Sequence, residues 1–153
     1  DYTPTLDNHF YYKEEYGDYH GVGTNNRVIS IFPYAAGGDI VSFEIFSDFT
    51  TESLSGTYTG AYTGSANTFL PGAISAGKLT GSGYISYDGL SYATFAAGEV
   101  TFTENSDGTL TVVYEAQDIY GNTISGSWQG QEDTIPAPAQ CPATYQRFSA
   151  HKR

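Results

Sequence analysis

Between residues 98 and 130, apolar and polar positions alternate with a period of two in three successive runs. Val100 and Phe102 alternate with threonines. Leu110, Val112, Tyr114 and Ala116 share one face of the next run, and Ile124, Gly126 and Trp128 share one face of the last. That period predicts three half-buried strands. Two turns set their register. With Gly108 at the φ > 0 position of a Ser106-Asp107-Gly108 loop, Phe102 falls opposite Val112 and Val100 opposite Tyr114. With Ile119-Tyr120-Gly121 in the same role, Ala116 meets Ile124, Tyr114 meets Gly126 and Val112 meets Trp128. A slip of one residue would turn a whole apolar set to the other face. An aromatic ring at Tyr114 also covers backbone that glycine leaves bare.

The rest of the chain reads as shorter strands between glycine-rich turns. Phe10-Tyr11-Tyr12 enters a strand, and Gly17, Gly21 and Gly23 mark a turn-rich continuation. Arg27 to Tyr34 is a strand with Pro33 at an end or edge. After Gly37-Gly38-Asp39, Ile40 to Phe49 places Val41, Phe43, Ile45, Ser47 and Phe49 on one face. Leu54 to Gly64 reads as a strand with Tyr58 and Tyr62 on one face, and Ser65 to Lys78 as a loop. Leu79 to Tyr87 and Leu90 to Phe95 form a hairpin around Asp88-Gly89, with Ile85 opposite Tyr92 and Tyr87 opposite Leu90. No stretch of ten residues has helical periodicity. The expected fold is all-β: an antiparallel up-and-down barrel of about eight or nine strands, with a sandwich as the alternative. Closure removes exposed edges, which suits a chain with few charges to guard them. The expected organisation is a loose lead-in over 1–9, a barrel domain over 10–130 and a Pro-rich C-terminal tail over 131–153.

Composition agrees with the strand reading: aromatics reach 16% while charged residues are only 15%. The net charge of −11 argues against nucleic acid and anionic lipid as partners. Three of the six Lys and Arg residues (Arg147, Lys152 and Arg153) lie in the last seven positions, so the body is more acidic still. There is no Met and no apolar run long enough for a membrane span, which leads to the expectation of a processed, exported protein. Cys141 is the only cysteine. It permits no internal disulfide and leaves pairing between molecules open. Deleting 136–153 removes none of the periodic positions and is expected to change the melting temperature little.

Gly56-Thr57-Tyr58-Thr59, followed at a distance by Gly98, Val100, Asp118, Gly121, Asn122, Ile124, Gly126 and Gly130, resembles a group of uncharacterised secreted proteins and lipoproteins of Bacteroidetes. Trp128 stands where that group usually has Tyr, and the resemblance spans roughly residues 10 to 130. It implies a calycin-like or related β-barrel and an exported location. It implies no catalytic residue, because the shared positions are turn glycines and core residues.

The sequence holds no nucleophile elbow, zinc-protease motif or phosphate loop. A carboxylate pair drawn from distant strands stays open in any sequence. Glu14, Glu15, Asp18 and His20 carry oxygen and nitrogen donors, but their spacing matches no calcium loop, so neither a metal nor a cofactor is expected. Tyr58, Tyr84, Tyr87, Tyr92 and Tyr114 read as wall or core residues. Tyr16, Tyr19 and Tyr120 stand beside turns. With Ile119, Asp18 and His20 they form the candidate ligand contacts, since a flat apolar ring beside polar atoms suits a sugar. The favoured reading is a non-catalytic exported cell-envelope domain, glycan-binding or adhesive and structural. The alternatives are a lipocalin-like carrier with a small apolar ligand in the lumen beside Gly126 and Ala116, and a small polysaccharide-acting enzyme.

Overall fold

A computed structural model describes residues 1–75 and 78–134 of the chain. The expectations for Cys141, Tyr145, Phe148 and the Pro-rich tail lie outside the described residues. The described residues contain no helix. The strands are β1 (His9–Gly17), β2 (Asn25–Pro33), β3 (Asp39–Ser47), β4 (Gly56–Gly60), β5 (Thr68–Phe69), β6 (Ala73–Ser75), β7 (Lys78–Thr80), β8 (Gly83–Ser86), β9 (Tyr92–Thr94), β10 (Ala97–Glu104), β11 (Leu110–Gln117) and β12 (Thr123–Gly130). Eight of them follow one another in the order β1-β2-β3-β5-β4-β10-β11-β12 and make a nearly closed barrel. β8 and β9 branch from β3, and β6 and β7 form a separate hairpin.

The sheet departs from a pure meander at one place, where β4 and β5 run parallel. Parity then fixes the closure. Six antiparallel steps and one parallel step leave β12 pointing the same way as β1, so the last seam has to be parallel. It is: Tyr2 bridges Ile124 and Tyr11 bridges Glu132, both in the parallel sense. Tyr2 N–H donates to the Thr123 carbonyl at 2.9 Å, and Ser125 N–H donates to Tyr2 at 3.1 Å. Tyr11 makes the equivalent pair with Gln131 and Asp133. Between these two points the ladder lapses, starting at Pro4, which has no N–H to give.

The long hairpins match the sequence reading position for position. Phe102 pairs with Val112, Val100 with Tyr114, Tyr114 with Gly126 and Val112 with Trp128. Gly108 and Gly121 take φ of 91° and 84° in the turns. The inward side chains fill the barrel with rings. Phe43 meets Phe69, Phe95, Phe102 and Tyr114 at centroid distances between 5.3 and 6.1 Å. The outer faces of β1, β2 and β3 are also covered: Phe10, Phe32, Ile40, Leu79 and Ile85 form a second apolar cluster. β3 is therefore buried along its whole length. Arg27 is buried at one end of the barrel, where its guanidinium ties down the 48–53 loop through the carbonyls of Thr51 and Glu52.

Several expectations are corrected. The lead-in is not loose: Tyr2 is laddered to β12 and Leu6 is buried, because the parallel seam needs a strand there. Tyr62 does not share the buried face of Tyr58. β4 ends at Gly60 and Tyr62 is 78% exposed. The stretch read as a loop over 65–78 holds β5 and β6, strands too short to show a period. In the β8–β9 hairpin Ile85 does face Tyr92, but Tyr87 N–H bonds to Gly38 rather than joining Leu90. Tyr92 is 53% exposed, since β9 pairs on one side only and is an edge.

Trp128 packs across from Val112 and meets the Tyr11 ring edge-on at 6.4 Å. Trp128→Ala is expected to cost about 3–5 kcal/mol in chemical denaturation. A loss below about 1 kcal/mol, the range of surface substitutions, would contradict this packing.

Candidate functional site

The N-terminal strand segment, the β8–β9 hairpin and the β11–β12 turn meet at one end of the barrel. They enclose a concavity of about 250 Å³. Its aromatic walls are Tyr2, Tyr84 and Tyr92, and Ala93 and Ile124 add apolar surface. Asp1, Asp118, Asn122 and Thr123 supply the polar groups. Tyr2 is held from both sides. Its ring stacks on Tyr84 at 5.0 Å with 28° between planes, and its hydroxyl donates to Asp39 Oδ2 at 2.5 Å. Asp39 also accepts from Thr5 N–H at 2.8 Å. Burial, then the bond to Asp39, pushes the Tyr2 phenol well above its ordinary range, so it stays protonated and keeps donating. Tyr84 and Ser91 hydroxyls bond at 2.8 Å. The faces of Tyr2 (41% exposed) and Tyr92 remain open to solvent.

The adjoining turn is rigid because Asp118 collects its donors. Asp118 Oδ1 accepts from Tyr120 N–H at 2.9 Å and Asn122 N–H at 2.8 Å, and Oδ2 accepts from the Asn122 side chain at 3.0 Å. This network holds Ile119 and Tyr120 outward at 68% and 82% exposure, on the tip between two groove-lining residues. The expected exposure of the pair is therefore observed.

The other sequence-derived contacts lie at the opposite end. Tyr2 sits beside Ile124 and Tyr11 beside Glu132, so β1 runs away from the 118–122 turn and delivers residues 16–20 to the far rim. There Tyr16 and Tyr19 meet at 6.0 Å, Tyr19 and His20 at 5.1 Å, and His20 and Phe46 at 5.3 Å. Tyr16 donates to Glu14 at 2.7 Å, and His20 bonds to Glu44 at the same distance. Burial, then the bond to Glu14, raises the Tyr16 phenol above its ordinary range. Asp18 accepts from Val22 and Gly23 N–H groups, stapling its own loop. Glu14 and Glu44 are both buried on the outer face, on either side of Val28, two strand spacings or about 10 Å apart at the backbone. Each carboxylate is engaged by a side chain of the 16–20 segment, which anchors that segment to the sheet. Among the described residues, no group of three or more His, Cys, Asp or Glu is placed to hold a metal ion. No helix among them is long and apolar enough to cross a membrane.

The six sequence candidates thus divide between two ends, Ile119 and Tyr120 at one and Tyr16, Asp18, Tyr19 and His20 at the other. Sequence reasoning missed Tyr2, which sat in a segment read as loose, and assigned Tyr92 to the wall. The shortness of the run after Asp88-Gly89 was the one signal that β9 is an edge. No family model, curated protein or solved structure matches this chain.

The turn carries a pH expectation. Slight burial opposes ionisation of Asp118, but the bonds from the Asn122 side chain and backbone outweigh it and hold the carboxyl below the ordinary range. A lowered folded-state value stabilises the turn above the unfolded value and is lost as pH falls through the folded one. The Asp118 carboxyl is expected to titrate below about 3.9, the ordinary aspartate value. The Tyr120 and Asn122 amide shifts should follow the same midpoint in NMR. A midpoint at or above the ordinary value would break the assignment.

Proposed function

We propose that this chain is a non-catalytic, exported glycan-binding module whose groove beside the β11–β12 turn takes neutral sugars. The observation that carries the reading is the groove itself. Open faces of Tyr2 and Tyr92 stand beside Asp118, Asn122 and Thr123, under a fixed turn that projects Tyr120. A sugar ring has flat apolar faces and a rim of hydroxyls, and needs that pairing of aromatic surface with fixed polar atoms. The net charge of −11 disfavours polyanionic glycans. The exported, envelope-associated placement draws on the resemblance of residues 10 to 130 to secreted proteins and lipoproteins of Bacteroidetes. A lumenal carrier is the weaker reading, because the four rings around Phe43 occupy the barrel interior.

A glycan array with neutral cell-wall and host glycans tests the proposal. Tyr92→Ala and Tyr120→Ala are each expected to weaken binding of the best ligand by about tenfold, the equivalent of about 1.4 kcal/mol. Tyr120→Ala should shift stability by no more than about 0.5 kcal/mol, as an exposed residue does. Binding to no glycan, or binding by both variants equal to that of wild type, would refute the reading.

A further inference from the structure

A second cavity lies along the barrel seam and is separate from the groove. Its volume is about 310 Å³, and it is bounded by residues 3–7 on one side and by Gly126, Ser127 and Trp128 on the other, with Tyr114 beneath. Three independent features mark it. First, the ladder bonds at Thr123, Ser125, Gln131 and Asp133 show that odd-numbered residues of β12 turn their N–H and C=O groups toward the N-terminal segment. Ser127 and Gln129 therefore present theirs as well. Among the described residues, no backbone group of that segment reaches them: Pro4 has no N–H, and Thr5 turns its N–H and C=O toward Asp39 instead. Second, Tyr114 is only 2% exposed and its hydroxyl has no hydrogen-bond partner among the described residues. A buried hydroxyl left without a partner is costly and rare in native folds. Third, Gly126 is what admits that hydroxyl to the seam. A Cβ there would stand 2.7 Å from the Tyr114 oxygen.

We propose that this seam cavity is a binding site for one small uncharged polyol, about the size of a single sugar ring. The size follows from the volume, which is at the lower end of small-molecule sites and holds about ten waters' worth of liquid. The class follows from the lining. The strand edge offers both donors and acceptors, Tyr114 offers a hydroxyl, Thr3, Thr5 and Ser127 offer more, and Trp128 gives an apolar wall. Asp7 in the lining and the acidic body exclude anions. Burial also keeps the Tyr114 phenol protonated, raising it above its ordinary range, so it acts as a neutral donor. This site does not depend on the groove: it shares no lining residue with it and uses none of Tyr2, Tyr84, Tyr92 or Asp118.

The test is saturation-transfer NMR with free glucose, galactose, mannose and N-acetylglucosamine as probes. It compares the wild-type protein with Tyr114→Phe, Tyr92→Ala and the double variant. At least one probe should bind wild type, and Tyr114→Phe should weaken that binding about tenfold or more, by the same factor with or without Tyr92→Ala. Tyr114→Phe deletes only an unpartnered oxygen, so its melting temperature should equal or exceed that of wild type. Absence of binding by every probe, or equal binding by Tyr114→Phe, means that water alone fills the cavity and overturns the proposal. A lower melting temperature for Tyr114→Phe overturns it too, since the hydroxyl would then have a partner. Binding lost in Tyr92→Ala but kept in Tyr114→Phe also overturns it and leaves the groove reading standing.

Discussion

Closing a sheet on itself requires the first and last strands to satisfy each other's backbone groups, and here that requirement rests on a single parallel step. Because β4 and β5 run parallel, β1 and β12 meet in the parallel sense. No tight turn can join parallel neighbours, so the chain brings its N-terminal segment alongside β12 from the outside. Tyr2 and Tyr11 make the two points of attachment; between them Pro4 has no N–H and Thr5 bonds to Asp39 instead of β12. The groove and the seam cavity are both consequences. One lies where the attached Tyr2 turns its ring outward against Tyr84, the other where the ladder is interrupted.

The interior follows from the same closure. An eight-stranded barrel has room for side chains and little else, and aromatic rings fill this one in edge-to-face contact. A further layer on the outer faces of β1 to β3 buries β3 along its whole length and β2 along nearly all of it. Together the layers bury apolar side chains on both faces of β3. The charges that are buried are bonded rather than free. Arg27 holds a loop through its carbonyls, Glu14 accepts from Tyr16, and Glu44 accepts from Asn26 and pairs with His20. These contacts tie the 16–20 and 48–53 segments to the sheet.

The proposed function draws on places where the backbone is held but side chains are not. The Asp118 network fixes a turn whose two central side chains have nothing to pack against, and Tyr2 and Tyr92 border the adjoining concavity with open faces. Exposed apolar rings on rigid backbone lose little entropy on binding, which favours contact with a partner over packing within the fold.

The sequence by itself determined the long hairpins. Val100, Phe102, Val112, Tyr114 and Trp128 alternate over runs of eight residues, and the glycine turns at 108 and 121 leave only one register that keeps every apolar residue inward. It also determined the exposure of Ile119 and Tyr120, because a tight turn offers no neighbours. Tertiary structure alone decided the rest. Strands of two or three residues such as β5 and β9 are too short to carry a period, so Tyr92 read as wall although it is an edge. Tyr2 and Leu6 follow no local pattern; Tyr2 is held by Thr123, Ser125, Asp39 and Tyr84, all distant in sequence, and Leu6 by burial in the core. The separation of Tyr120 from Tyr16 and Tyr19 likewise depends on strand direction around a closed sheet, and the parallel β4–β5 step that sets it is a long-range pairing that local residue preferences do not encode.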